Sequence, residues 1–267
     1  MYEQWIVDVR HTDPAVRYEA AQKLGASSDG RAADPLIGLL ADTNAKVQYA
    51  AFSGLIKLRA EQAALPMVNM LTADFNSRVW DLLKLNIGLR LRMGLLELVQ
   101  FGDQAVVDRV LHAIDTQTMD EAQHAYLIRL LGKAGATDRV HMLIDLLGGS
   151  SEALQTASAE ALGWLKDARA IEPLIGLTGD YRDTLREVAV EALGRIGDVS
   201  AFDAMLAALN DPNEWVRRAA IVGLAELGDR RAVEPLADRL QDESTLVQDA
   251  AFEAIQKFSY GTYNTLM

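Results

Sequence analysis

The sequence predicts an all-α solenoid: a superhelix of antiparallel helical hairpins, about seven full repeats and a terminal half repeat, running through residues 1–267 as a single domain. Three observations predict it. The chain aligns on itself at a fixed period, Gln155 falling on Arg186, Arg186 on Arg217 and Arg217 on Gln248, which marks stacked supersecondary units rather than one globular core. Hydrophobic residues are 50% of the chain but aromatics only 6%, as suits helices that pack closely through small side chains. Apolar positions recur at helical spacing, and strand-rich stretches of Val, Ile, Tyr and Phe are missing.

The first helix of each hairpin is fixed by a ladder: Arg17, Gln48, Arg92, His124, Gln155, Arg186, Arg217 and Gln248. The step from Arg17 to Gln48 equals each step from His124 through Gln155, Arg186 and Arg217 to Gln248, so one insertion lies between Gln48 and His124. A fixed distance before the ladder stand Asp42, Asp180, Asp211 and Asp242, expected to cap their helices and to pair with the ladder residue ahead. The stripe Val216, Ala219, Ala220, Gly223, Leu224 and Leu227 supplies the buried face. Gly-Asp pairs (Gly102-Asp103, Gly197-Asp198, Gly228-Asp229) end that helix and start the next. The second helix opens on variants of Ala-x-x-Pro-Leu, with Pro35, Pro66, Pro173 and Pro235 in its first turn.

Two segments depart from the rule. Near 74–90 the stretch Leu83 to Met93 alternates apolar and polar residues as a strand does, which predicts a lengthened helix or an extended connector presenting Trp80. From Leu246 onward there is one helix and then a polar, aromatic tail, so 246–267 reads as a cap and tail.

The segments Asp211-Pro212-Asn213-Glu214-Trp215-Val216-Arg217-Arg218-Ala219-Ala220 and Leu227-Gly228-Asp229-Arg230-Arg231-Ala232-Val233-Glu234-Pro235-Leu236 resemble the phycobilisome-lyase-type (E-Z type) HEAT-like repeats, over residues 12–258. The resemblance implies an α-solenoid of HEAT-type hairpins. It also implies a range of roles: bilin lyase or chaperone-lyase subunits acting on a phycobiliprotein through a linear tetrapyrrole, accessory proteins of iron–sulfur assembly, deoxyhypusine hydroxylase, and adaptors without activity. The His-Glu dipeptides of the hydroxylase are missing, since His11, His112, His124 and His141 are followed by Thr12, Ala113, Ala125 and Met142.

Charge and motifs narrow the function. A formal net charge of −12 repels a phosphate backbone, so no nucleic-acid partner is expected. With no Cys there is no thiolate chemistry, disulfide or Cys-bound metal. No signal peptide or membrane span is legible, and the expected location is cytoplasmic. No phosphate loop, nucleophile elbow or His-Glu-x-x-His stands in the chain, so an enzyme is the lesser expectation and no resident cofactor is expected.

The leading expectation is therefore an acidic scaffold that binds another protein on a concave wall of second helices. The outward row there reads Asp34, Leu65, Asp108, His141, Glu172, Asp203, Glu234, with Asp238 one turn on, a ridge suited to a basic segment of a partner. Trp80 is the expected aromatic anchor, whereas Trp164 and Trp215 are expected to pack between repeats. Asp108 with His112, and His141 with Asp145, stand four apart on successive second helices, a spacing by which four side chains would converge on zinc, iron or manganese. The rival account of those pairs is a set of solvated charge pairs.

Overall fold

The computed structural model describes residues 2–84 and 86–263, with side chains at 2–83 and 90–258. Among them are seventeen α-helices and no strand: α1 (Tyr2–Asp8), α2 (Pro14–Ala26), α3 (Ala33–Leu39), α4 (Ala45–Lys57), α5 (Ala64–Ala73), α6 (Arg78–Lys84), α7 (Asn86–Leu98), α8 (Gln104–Thr116), α9 (Glu121–Ala134), α10 (Val140–Leu147), α11 (Glu152–Leu165), α12 (Ile171–Leu177), α13 (Asp183–Ile196), α14 (Phe202–Ala208), α15 (Glu214–Leu227), α16 (Val233–Asp238) and α17 (Thr245–Tyr263). From α2 the helices pair, 2 with 3, 4 with 5, 7 with 8, then 9 with 10 through 15 with 16, and α17 is the terminal half. The fold is an α-solenoid. Leu85 and residues 264–267, parts of the expected insertion and tail, lie outside the described residues.

The chain divides into two compact units, Met1–Gln123 with Lys133–Gly135, and His124–Gly132 with Ala136–Met267. In the second unit α11, α13, α15 and α17 stack side by side over one continuous core, in which Leu162, Leu193 and Leu224 are fully buried at the same place in successive repeats. In the first unit α2 packs on α4, and α4 on α6 and α7.

Small residues set the spacing of the first helices. A methyl added at Gly25 would lie 2.5 Å from the Gly54 backbone, at Gly132 2.5 Å from Ala161, at Gly163 2.9 Å from Ala192 and at Gly194 2.7 Å from Gly223. These are backbone contacts with no room for a side chain.

The ladder residues join repeats. Arg17 donates Nε and Nη2 to the two carboxylate oxygens of Asp42 at 2.6 and 2.8 Å; Arg186 does the same to Asp211 at 2.7 and 3.0 Å, and Arg217 to Asp242 at 3.0 and 2.7 Å. Each bond reaches 25 residues forward, into the loop before the next first helix. The Gln members stay at home, Gln48 on the Leu40 carbonyl and Gln155 on that of Leu147. The expected capping by the aspartates is corrected here. Asp42 and Asp211 accept from the N–H of Asn44 and Asn213, and these asparagines cap α4 and α15. An aspartate two residues before the cap is too early to reach the free N–H groups of the helix and serves the preceding repeat instead.

The insertion is helical, not strand-like. Leu91, Leu95 and Leu98 are buried along α7 at helical spacing, and the Leu and Arg residues that create the alternation are good helix formers. Trp80 is 1% exposed, so its expected presentation at the surface is corrected as well. Its ring stacks on Phe75 with centroids 5.8 Å apart, and its Nε1 donates to the Leu71 carbonyl at 2.8 Å. Arg109 of α8 and Gln117, which follows it, donate to the neighbouring Thr72 carbonyl, each at 2.8 Å. Because α5 ends on a Pro-free, Gly-free turn, its last carbonyls need side-chain donors, and the indole supplies one.

Candidate partner-binding surface

Six of the seven second helices, all but α8, are entered through a 3-10 turn, and four of those turns are capped by Asp (Asp29, Asp167, Asp198 and Asp229). In Asp29-Gly30-Arg31, Asp167-Ala168-Arg169 and Asp229-Arg230-Arg231 the carboxylate accepts the backbone N–H and the guanidinium of the Arg two residues on. Those guanidinium groups hold the carboxyls of Asp29, Asp167 and Asp229 below the usual carboxylate range. The arginines also reach back to the preceding repeat: Arg31 lies 4.7 Å from the Tyr2 ring centroid, Arg231 4.1 Å from that of Phe202, and Arg169 Nη1 3.2 Å from His141 Nε2.

One turn later stand the acids of the outward row. Asp34 is exposed on α3 in the first unit; Glu172 on α12, Asp203 on α14, and Glu234 and Asp238 on α16 are exposed in the second. Among the described residues none of these five carboxylates is in an ion pair, unlike the Asp-x-Arg turns beside them. Leu65 is half-buried on α5, where the row loses its charge.

The four expected metal ligands are divided between the two units. Asp108 and His112 lie on α8 and His141 and Asp145 on α10, all at least partly exposed, but among the described residues no three His, Asp or Glu side chains gather closely enough to hold a metal ion. Asp108 accepts from Gln104 at 2.7 Å, and His141 meets a guanidinium, a cation where a metal ligand would need an open lone pair.

The expectation for Trp215, packing between repeats, is reversed. Trp164 is half-buried and Trp215 is 48% exposed, at the start of α15. A groove of about 490 Å³ beside Trp215 is lined by Pro212, Asn213, Glu214, Arg217, Glu243 and Ser244. A second groove, about 540 Å³, lies in the first unit along Tyr18, Tyr49, Leu82 and Lys46. Burial and the nearby Tyr18 push the Tyr49 phenol above its ordinary range. Both grooves follow the edge where first helices begin, not the second-helix wall expected from the sequence. Reading the repeat by columns would have found the tyrosines, since Tyr18 and Tyr49 stand one residue after successive ladder positions.

A family model described as HEAT repeats matches residues 4–82, 107–193 and 175–256. No curated protein matches. Among solved structures, a chain of the CpcE–CpcF complex of phycocyanin lyase from Nostoc sp. PCC7120 is similar at 20% identity and a TM-score of 0.50, over 97% of this chain and 94% of that one. A chain of the Kap95p–RanGDP structure is similar at 15% identity and a TM-score of 0.62, over 96% of this chain and 41% of that one. At these identities the likeness concerns the fold. Among the described residues, no helix is long and apolar enough to cross a membrane.

Proposed function

Because the chain belongs to the HEAT-repeat family, we propose that it is a non-catalytic scaffold whose second helices hold a partner protein through a basic segment. The observation that carries this reading is the set of exposed carboxylates without an ion pair, Glu172, Asp203, Glu234 and Asp238 in one unit and Asp34 in the other. The fold does not need them. The Asp-x-Arg turns beside Asp34, Glu172 and Glu234 already neutralise their own charge, which leaves the row's carboxylates as negative potential for a partner. Rim charges of this kind act on association rate and salt dependence more than on raw affinity.

The test is binding of a fluorescein-labelled lysine-rich peptide, compared with a variant carrying Glu172→Gln, Asp203→Asn, Glu234→Gln and Asp238→Asn. Affinity should fall about tenfold in the variant, as four solvent-exposed pairs of roughly 0.3–0.5 kcal/mol each would give. Equal affinity would sink the proposal.

A second reading is a lyase subunit that handles a linear tetrapyrrole on a phycobiliprotein. It is supported by the likeness to a phycocyanin lyase chain along almost the whole of both chains. Mixing the protein with a linear tetrapyrrole and recording visible absorption separates the two, since a lyase must bind the pigment and a plain scaffold leaves its spectrum unchanged.

A further inference from the structure

We propose that the groove at Trp215 is a second binding site, one that takes an arginine side chain from a partner protein over the indole face. It lies on the edge where α15 and α17 begin and is separate from the second-helix row.

The fold does not ask for a tryptophan there. Two residues before the ladder the other repeats carry Ala15, Lys46, Arg90, Ala122, Ala153, Thr184 and Leu246, so Trp215 is the lone aromatic in a column that works with Ala. Nearly half of it faces solvent. Trp80, by contrast, is sealed in the core. Three other aromatic rings, those of Tyr2, Tyr181 and Phe202, carry an arginine of this same chain over the face, at 4.7, 4.9 and 4.1 Å. Among the described residues none lies over Trp215, whose ring quadrupole is left open to a cation from outside.

The walls favour positive charge. Glu214 and Glu243 both line the groove, and Glu243 is 84% exposed. The cation beside them, Arg217, is already matched by both oxygens of Asp242 and touches Glu243 at only 3.4 Å. With Asp242, Glu214 and Glu243 set against Arg217 and Arg239, the groove beside the indole keeps a net negative charge. The walls are also held in place: Asn213 caps α15 through the Trp215 N–H at 2.8 Å and donates to Asp183 of the preceding repeat at 2.7 Å, while the Ser244 hydroxyl donates to Glu214. A planar guanidinium stacks on the ring and bonds a carboxylate at the same time, which a compact ammonium does less well.

The experiment uses the full chain and a fluorescein-labelled capped peptide with two arginines among alanines, compared with the same peptide in which citrulline replaces arginine. At about 50 mM salt the arginine peptide should bind at least about tenfold more tightly than the citrulline one, the scale of one desolvated cation–π contact with its carboxylate. Trp215→Ala, and Glu214→Gln with Glu243→Gln, should each remove most of that difference, and Trp215→Phe should keep part of it. The quadruple variant of the second-helix row should leave it intact. Equal binding of the two peptides by the native protein, or native-like binding by Trp215→Ala with an unchanged melting curve, would overturn the site. Loss in the row variant and not in Trp215→Ala would place the peptide on the row, supporting the scaffold proposal and ending this one.

Discussion

The Arg–Asp bridges show what single residues contribute. Arg217 and Asp242 have side-chain exposures of 6% and 5%, whereas Arg31 and Asp29 have 71% and 29%, with similar bond lengths. Breaking a buried pair strands a charge, so Arg217→Ala is expected to lower unfolding free energy by about 3 kcal/mol, and Arg31→Ala to leave it nearly unchanged, in urea titrations. Acid should act on the same network. Arg182 hydrogen bonds, together with its backbone N–H, lower the Asp180 carboxyl to about 2 from an ordinary 3.8. Burial alone would lift Asp242, but bonds from Arg217 and the Ser244 N–H, with the charges of Arg217 and Arg239, hold it below its usual range. A depressed carboxylate stabilises the fold above its unfolded pKa, and that stability is lost as pH falls through the folded value. The urea midpoint should therefore be level from pH 7 to near 5 and drop between about 4 and 2, with a shallower drop in Asp180→Asn. The ladder is legible in the sequence as a column. Its partner is not, because a bond from Arg17 to Asp42, or from Arg217 to Asp242, depends on where the next loop returns.

At the scale of helices, the glycines test whether spacing or propensity rules. Gly132 meets the Ala161 backbone at 2.5 Å from an added methyl, so Gly132→Ala should destabilise by about 1–3 kcal/mol despite the better helix propensity of Ala. Gly38 of α3 has nothing within 4 Å of such a methyl, and Gly38→Ala should raise stability by up to about 1 kcal/mol. Thermal melts of the two variants should move in opposite directions. Helix type, pairing and the proline-bearing second helices are all readable from period and punctuation. The stretch Leu83 to Met93 is not, because its alternating Leu and Arg satisfy two periods at once, and the burial of Leu95 and Leu98 that decides between them lies outside that window.

For the whole molecule, the insertion is a structural part. α6 buries Val79, Trp80 and Leu83, and Gln123 reaches back to the Phe75 carbonyl at 2.7 Å. Removing residues 75–87 should loosen the first unit and leave α11, α13 and α15 as protected from amide exchange as in the intact chain, because each repeat is stabilised mainly by its neighbours. Exchange that becomes fast in both units together would show one cooperative block instead. The candidate surfaces are legible unevenly: the carboxylate row follows from phase alone, while Trp80 and Trp215 exchange places because burial of an indole depends on the loops around it.

The glycine contacts carry a geometric consequence. In the repeat Gly132 answers to Gly163 and Gly163 to Gly194, yet Gly132 meets Ala161 and Gly163 meets Ala192, each two positions short of its counterpart, and Gly194 meets Gly223 in the same way. Each first helix is thus slid along its predecessor by about two residues, or about 3 Å at roughly 1.5 Å per residue. From α9 to α15 the slip adds to about 9 Å, and the edge where these helices begin is terraced. A straight strand or helix laid along it would touch one tread at a time, and only a segment that steps down with the terrace could engage several.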